Sequence, residues 1–287
     1  MPRSSRLASN RLNRLAGFAL GLVLFYAPFA LLIRGFGMLF PASAAGTSVS
    51  DVHGACLRMP FGWLTQPWMW PTIGSTPVAW LPIAVLPIAA IAAGPLFCGW
   101  LCPAGALPEY LSRTVPDRFK FDFKSRVDIV PLRYGFFFGI LLVPFVSSSI
   151  CCALCNFNQM QNLVSGVFGN FSGFAYFSTM GIMAAAVWIV PLGLFTRGGR
   201  GWCMFLCPAG TVMGFASWAS AKFPWALRVR NNQSACTGCG TCEDVCSMRA
   251  AGTTEETVQT INRHLCIQCQ DCVSACPAGA LTYGRPR

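Results

Sequence analysis

Half of the sixteen cysteines in this 287-residue chain fall into two runs with the same spacing. Each run reads C-x-x-C-x-x-C-x-x-x-C, and the members are Cys236, Cys239, Cys242 and Cys246, then Cys266, Cys269, Cys272 and Cys276. In a tight loop this spacing points three thiolates at one inorganic cube, and the fourth ligand arrives from the other run. The pattern therefore predicts two 4Fe–4S clusters, whose chemistry is the transfer of single electrons.

The ligand sets follow from the way bacterial two-cluster ferredoxins cross their runs, because the fourth cysteine of each run binds the other cluster. One cluster is assigned Cys236, Cys239, Cys242 and Cys276. The other is assigned Cys266, Cys269, Cys272 and Cys246. Zinc sites and disulfides are the alternatives. Zinc sites usually show paired C-x-x-C without a third cysteine in register, and a cytoplasmic module would not keep disulfides, so the pattern favours iron–sulfur clusters.

A second cysteine pattern, C-x-x-x-C-P-A-G, occurs twice in the earlier part of the chain. The four cysteines are Cys98 and Cys102 in the first copy, and Cys203 and Cys207 in the second. At a helix end, cysteines four residues apart lie on one face, and the proline that follows is expected to stop the helix. If the copies are related by pseudo-symmetry, all four sulfurs meet. Three interpretations stay open: a metal or cluster site, a dithiol relay, or buried thiols that pack as small apolar groups.

The elements that carry these motifs are predicted from the apolar residues, which make up 54% of the chain, whereas charged residues make up 11%. A soluble domain would carry about 25% charged residues, so the composition predicts an α-helical membrane protein. Uncharged runs predict four transmembrane helices, at 15–33, 71–97, roughly 133–151 and 174–196. They form two duplicated helix pairs, each ending in a C-x-x-x-C-P motif. Residues 1–227 would form this domain, and 228–287 an α+β ferredoxin-like domain.

The orientation is predicted from the basic residues, which gather before the first helix, between the second and third, and after the fourth. Both termini would then be cytoplasmic in a multi-pass protein of the bacterial inner membrane, in contact with lipid. The net charge of +11 has the same explanation, and nucleic acid is not an expected partner. The opposite, periplasmic face would carry Cys56, Cys151, Cys152 and Cys155. These four are either disulfide-bonded or ligands of a further cluster or metal.

Taken together, the four helices, the motifs at Cys98–Pro103 and Cys203–Pro208 and the two cysteine runs resemble the NapH/MauN family of ferredoxin-type membrane proteins. The membrane parts of NosR and of the cytochrome oxidase accessory polyferredoxin share these motifs. The resemblance covers nearly the whole chain. It implies a quinol dehydrogenase-type electron-transfer subunit of an oxidoreductase complex.

The resemblance alone supplies the substrate, which would be quinol, and the acceptor, which would be a partner redox system in the periplasm such as a ferredoxin or cytochrome c. An alternative is a maturation factor that supplies electrons to reduce a metal centre, such as copper, in another enzyme. A third hypothesis is a non-catalytic anchor whose clusters connect a larger complex. Reduction of the clusters by a quinol analogue separates the first hypothesis from the other two.

Overall fold

The computed structural model of the protein describes residues 3–26, 28–39, 59–75, 79–145, 154–254 and 257–285. Its first part is built from helices. They are α1 (Arg3–Phe25), α2 (Leu31–Leu39), α3 (Met59–Leu64), α4 (Trp70–Ser75), α5 (Leu86–Ala93), α6 (Pro103–Ser112), α7 (Ile129–Leu142), α8 (Asn156–Val167), α9 (Ser172–Ile189), α10 (Gly201–Phe205) and α11 (Pro208–Ala219). Three π-helical turns interrupt them, at Leu81–Val85, Phe97–Leu101 and Val190–Leu194.

The prediction of four transmembrane helices is wrong, because no helix in the described ranges is both long enough and apolar enough to cross a membrane. The apolar runs are divided instead. The run at 15–33 contains the end of α1, the start of α2 and, between them, Ala30 at a positive φ of 42°. Although α1 has 23 residues, it is not apolar enough to cross a membrane, because its first half carries Arg6, Arg11 and Arg14. The multi-pass location in the bacterial inner membrane, predicted from those helices, is contradicted by the same finding.

Proline explains where several apolar segments break. Pro82 and Pro191 each lie inside a π-helical turn, because a residue without a backbone N–H removes one i→i−4 hydrogen bond from an α-helix. The segment at 71–97 is therefore divided between α4, the turn at Leu81–Val85 and α5. The segment after 133 gives only the 14 residues of α7, followed by a single 3₁₀ turn at Val143–Phe145.

In each C-x-x-x-C-P copy one helical segment ends just before the proline, as expected, at Leu101 or Phe205, but a second helix then follows. Their prolines start helices, because Pro103 is the first residue of α6 and Pro208 is the first residue of α11. Proline is well suited to this position, where its missing N–H has no helical partner to lose. The second cysteine of each copy, Cys102 and Cys207, is then the residue that precedes the helix.

The helical segments that flank one C-x-x-x-C-P copy pack on those that flank the other copy. Helix α5, which precedes the first copy, packs on α11, which follows the second; α6 in turn packs on the turn at Val190–Leu194. The core between them contains the fully buried Trp188 and Tyr26 together with Met213. This exchange brings both cysteine copies to one end of the helical part.

The C-terminal part has the α+β organisation that was expected of a ferredoxin domain. Strand β1 (Arg228–Asn231) pairs antiparallel with β4 (Leu281–Gly284), and β2 (Ala251–Thr254) pairs antiparallel with β3 (Thr257–Ile261). Two short helices, α12 (Thr241–Asp244) and α13 (Asp271–Ala275), follow the cysteine loops. The predicted domain boundary at 227/228 coincides with the start of β1 and is otherwise still a prediction.

The ferredoxin-like part is packed directly on the helical part. A shared apolar core joins Met204 and Phe205 of α10 to Met248, Leu265 and Ile267. Backbone and side-chain hydrogen bonds add to it at the end of α5, where the Leu227 N–H donates to the Ala92 carbonyl and the Tyr283 hydroxyl donates to the Ala93 carbonyl. The C-terminal cysteines therefore lie against the helices that carry the other two copies.

Candidate functional site

The first candidate site, here called site A, is a cavity in the ferredoxin-like part. Its cysteines are Cys236, Cys239, Cys242 and Cys276, the first of the two predicted sets. Three of them come from one loop, in which Gly238 and Gly240 adopt positive φ angles of 68° and 71°. Cys239 is exposed, whereas Cys242 and Cys276 are buried. Site A therefore reaches the protein surface along one side.

The second candidate site, site B, is another cavity in the ferredoxin-like part. Its cysteines are Cys246, Cys266, Cys269 and Cys272, the second predicted set. Burial raises the pKa of Cys266 to about 12, although a backbone N–H from Gln268 lowers it. A buried thiol of this kind loses its proton when a metal binds it. The Ala250 N–H donates to Cys246 Sγ at 3.2 Å.

The loop of site B contains two residues whose role the sequence reasoning missed. Gln268 and Gln270 have positive φ angles of 53° and 62°, at the positions that Gly238 and Gly240 occupy in the loop of site A. A side chain in this region of backbone conformation is strained. Gln268 is held there by three contacts: its Oε1 accepts the Val229 N–H at 2.9 Å, its carbonyl accepts Trp100 Nε1, and its side chain fills the space beside Gly94. Comparison of the two runs, residue by residue, would have found this signal.

A third candidate site, site C, lies between the helical and ferredoxin-like parts. All four cysteines of the C-x-x-x-C-P copies, Cys98, Cys102, Cys203 and Cys207, line one cavity. Burial raises the pKa of Cys98 well above its ordinary value, and the charges of the other three cysteines raise it further. The two copies thus bring their sulfurs together as the pseudo-symmetry suggested.

Two arginines line site C with the cysteines. Arg133 is 3% exposed and donates to Thr211 Oγ1 at 3.1 Å and to the His264 carbonyl at 2.6 Å. Arg200 is 1% exposed and donates from Nη1 to the Cys98 carbonyl at 2.8 Å. The remaining terminal nitrogen of Arg200, Nη2, is buried without a hydrogen-bond partner.

A buried ionic network extends from site C to site B. Glu109, which is 1% exposed, accepts from Arg200 Nε at 2.6 Å and from Arg14 Nη2 at 2.9 Å. Arg14 also pairs with the fully buried Asp271 at 2.9 Å, and Asp271 precedes Cys272 in α13. Burial alone would raise the pKa of Glu109, but the attraction of Arg200, Arg14 and Arg113 lowers it to about 2. The sequence reasoning missed this network, since its members lie far apart in the chain.

The three sites are neighbours. Cys266 and Met248 line both site B and site C. The charge of Cys242, a site A residue, acts on Cys272 in site B. Site B therefore lies between site A and site C, and the sites form a row from the exposed Cys239 to the helical part.

The last predicted cysteine set is only partly within the described structure. Cys155 is a buried residue that precedes α8 and packs in the helical core. Cys56, Cys151 and Cys152 lie outside the described residues. Within the described ranges, no three Cys, His, Asp or Glu side chains are grouped closely enough to hold a single metal ion.

Known protein families match both parts of the chain. Residues 235–281 match a family described as a 4Fe-4S dicluster domain. Residues 75–124 and 180–226, which contain the two C-x-x-x-C-P copies, match a family described as a 4Fe-4S binding domain. No solved structure matches the chain.

Curated relatives support the same class of protein. The chain is 28% identical to the putative electron transport protein YccM of Escherichia coli, over 65% of this chain and 50% of the relative. It is 32% identical to the methylamine utilization ferredoxin-type protein MauN of Methylorubrum extorquens, over 55% and 49%. It is 29% identical to the regulatory protein NosR of Pseudomonas aeruginosa, over 61% and 23%. The chain thus spans half or less of these three relatives, and the predicted resemblance to the NapH/MauN group is confirmed.

Proposed function

From the premise that the chain is a ferredoxin-type, iron–sulfur electron-transfer protein, we propose that it relays electrons from quinol to a partner redox protein. Two 4Fe–4S clusters serve this role, one at site A and one at site B. The observation that carries the proposal is the crossing of the two cysteine runs: Cys276 completes the cavity of the first run, and Cys246 completes the cavity of the second.

The chain's own residues fit such clusters. Each cavity presents four sulfurs to one enclosed space, and a 4Fe–4S cluster bound there supplies a one-electron couple whose potential depends on charge and hydrogen bonds nearby. The Ala250 N–H donates to Cys246 Sγ, and the Arg14 guanidinium acts electrostatically on Cys269. Both contacts favour negative charge on sulfur, so they favour the reduced state of site B.

The ends of the relay are inferred from exposure and from the resemblance. Site A opens to the surface at Cys239, which makes it the natural contact for a partner redox protein such as a ferredoxin or a cytochrome c. Quinol is the electron donor that the NapH/MauN resemblance implies, so the chain would act as a quinol dehydrogenase-type subunit. A further metal or cluster at the cysteines of site C would lengthen the same relay.

The ligand assignment is tested by iron and acid-labile sulfide analysis with EPR of the reduced, anaerobically purified protein. About eight irons are expected for sites A and B, four for each cluster. Cys246→Ala should damage the cluster of the second run although Cys246 belongs to the first, and Cys276→Ala should do the reverse. The crossed assignment would be refuted if Cys246→Ala lost the cluster of site A and Cys276→Ala lost the cluster of site B.

The electron donor is tested separately on the intact protein. Reduction of the clusters by a quinol analogue, followed by optical bleaching or EPR, is the expected result. Reduction of a bound metal without any dependence on quinol would support the maturation-factor alternative instead. Inactivity outside a larger complex would support the role of an anchor.

A further inference from the structure

We infer that a cleft between the helical and ferredoxin-like parts binds a small molecule that carries a phosphate group. The cleft has a volume of about 710 Å³, which lies within the roughly 300–1,000 Å³ of ordinary small-molecule sites. Residues of α1, of α6 and of the segment after Val190–Leu194 line it from the helical part, and Val245, Ser247 and Arg249 line it from the ferredoxin-like part. No cysteine of sites A, B and C lines this cleft, so it is a separate site.

Basic side chains outnumber acidic ones along the cleft. In the described structure five cations line it, against three carboxylates. The cations are Arg11, Arg113, Lys120, Arg197 and Arg249, and the carboxylates are those of Glu109, Asp117 and Asp244. A concave site lined by an excess of one sign of charge attracts ligands of the opposite sign. The cleft therefore favours an anion.

The described ion pairs do not remove this excess, because the carboxylates are shared. Glu109 and Asp271 are the two carboxylates that pair with four arginines, namely Arg11, Arg14, Arg113 and Arg200. Asp122 pairs with Arg249 at 2.6 Å and with Arg197 at 3.6 Å. The side chains of Arg113 and Arg197 keep 27% and 41% of their surface exposed, so both have N–H groups left to donate to a ligand.

Ser247 supplies an independent observation at the same place. This residue is 3% exposed, and its Oγ has no hydrogen-bond partner. It lines the cleft and also site B, so it lies on the wall between them. A buried hydroxyl without a partner is unfavourable, and a ligand that accepts its hydrogen bond would remove that cost. The cysteine spacing does not require a serine here, since Pro277 follows Cys276 at the matching position of the second run.

The backbone beside Ser247 places Arg197 at the cleft. Gly198 and Gly199 follow Arg197 with positive φ angles of 83° and 72°. A Cβ on Gly198 would lie 2.3 Å from the Ser247 carbonyl oxygen, so only glycine permits this approach of the two parts. Arg197 and Ser247, which belong to different parts of the chain, are thereby held on the same cleft.

The arrangement of donors favours phosphate over carboxylate. Arg113, Arg197 and Ser247 come from three separate segments around the cleft. The terminal oxygens of a phosphate ester point in three directions, and arginine binds them well, whereas a carboxylate offers two oxygens in one plane. A phosphate monoester also carries a charge of about −1.5 to −2 at pH 7. That charge balances the excess of the lining cations over the lining carboxylates.

The test is isothermal titration calorimetry of the anaerobic holoprotein with glycerol 3-phosphate. Binding of one molecule per chain is the expected result. Ser247→Ala and Arg197→Gln should each weaken binding about tenfold, which is the effect of losing one hydrogen bond to a charged group. The matched controls are Ser234→Ala and Arg126→Gln, which replace exposed residues that do not line the cleft. Both controls should bind as the wild type does.

The iron content of each variant should equal that of the wild type, because the Ser247 hydroxyl has no partner to lose and Arg197 holds Asp122 only at 3.6 Å. Four results would overturn the inference: no saturable binding at millimolar glycerol 3-phosphate, unchanged binding in Ser247→Ala, equal losses in Arg197→Gln and Arg126→Gln, or tighter binding of succinate, a dianion without phosphate. Each of them leaves the proposed function intact, since that function depends on the loss of iron in Cys276→Ala.

Discussion

Glu109→Gln is the substitution that most directly tests the buried ionic network beside site C. The variant keeps the size of the side chain and removes its charge. Arg14 would retain Asp271 at 2.9 Å, but Arg200 would lose the one carboxylate with which it pairs in the described structure. We therefore expect a large loss of stability from a change that creates no cavity.

Two independent arguments give the size of the expected loss in the free energy of unfolding. Removing one partner of a buried ion pair costs about 3–5 kcal/mol, because the other charge stays buried. The pKa of Glu109 falls from 4.5 to about 2 in the folded protein, and that difference corresponds to about 3 kcal/mol. We expect Glu109→Gln to lower the free energy of unfolding by about 3 kcal/mol.

The measurement is denaturant unfolding of the anaerobic holoprotein, followed by tryptophan fluorescence and by cluster absorbance. Asp117→Asn is the control, since Asp117 forms an exposed ion pair with Lys120 at 2.7 Å and should change stability by no more than about 1 kcal/mol. A Glu109→Gln protein as stable as the Asp117→Asn protein would refute the reasoning.

The pH dependence gives a second check on the same residue. Because the folded-state pKa of Glu109 is lowered, its contribution is fully present above the unfolded value of 4.5 and is lost as the pH falls toward 2. The difference in unfolding free energy between wild type and Glu109→Gln should therefore be constant from about pH 6 to pH 8 and shrink below about pH 4.5. A difference that changed between pH 6 and pH 8 would mean that another group is responsible.

A further substitution tests the contact between the helical and ferredoxin-like parts. Gly94→Ala should destabilise the docked ferredoxin-like part by about 1–3 kcal/mol, because Gly94 has φ 74° and ψ 178° and a Cβ would overlap the side chain of Gln268; Gly135→Ala, with no atom within 4 Å of its Cβ, is the control in the same denaturation assay.

The grouping of the C-terminal cysteines can be read from the sequence because its information is local, whereas their role as cluster ligands is still a prediction. Three ligands within seven residues have to share a loop, and the sequence analysis grouped Cys236 with Cys276 and Cys246 with Cys266 as the cavities do. Convergence of the two C-x-x-x-C-P copies was likewise suggested by their repetition. Their local structure was predicted only in part, since a helical turn does end before Pro103, but a new helix also starts there.

The prediction of transmembrane helices was wrong because composition does not show where a helix breaks. The length of an uncharged run does not show where a helix is interrupted. The runs at 15–33 and 71–97 contain such breaks, at Ala30 and at the turn of Leu81–Val85. The ionic network was missed because nothing in the sequence near Glu109 marks its partners. Arg200 lies 91 residues away from it and Arg14 lies 95 away, so only the fold brings them together.

The bond between α1 and α13 has a consequence for how the protein is made. Arg14 and Asp271 are 257 positions apart, so at about 5–20 residues per second the ribosome needs roughly 10–50 s to supply the partner that Arg14 requires. During that interval Arg14 lacks Asp271, one of the two carboxylates that pair with it in the folded protein. The final packing of α1 therefore depends on the last cysteine run, and it is completed only after nearly the whole chain has been translated.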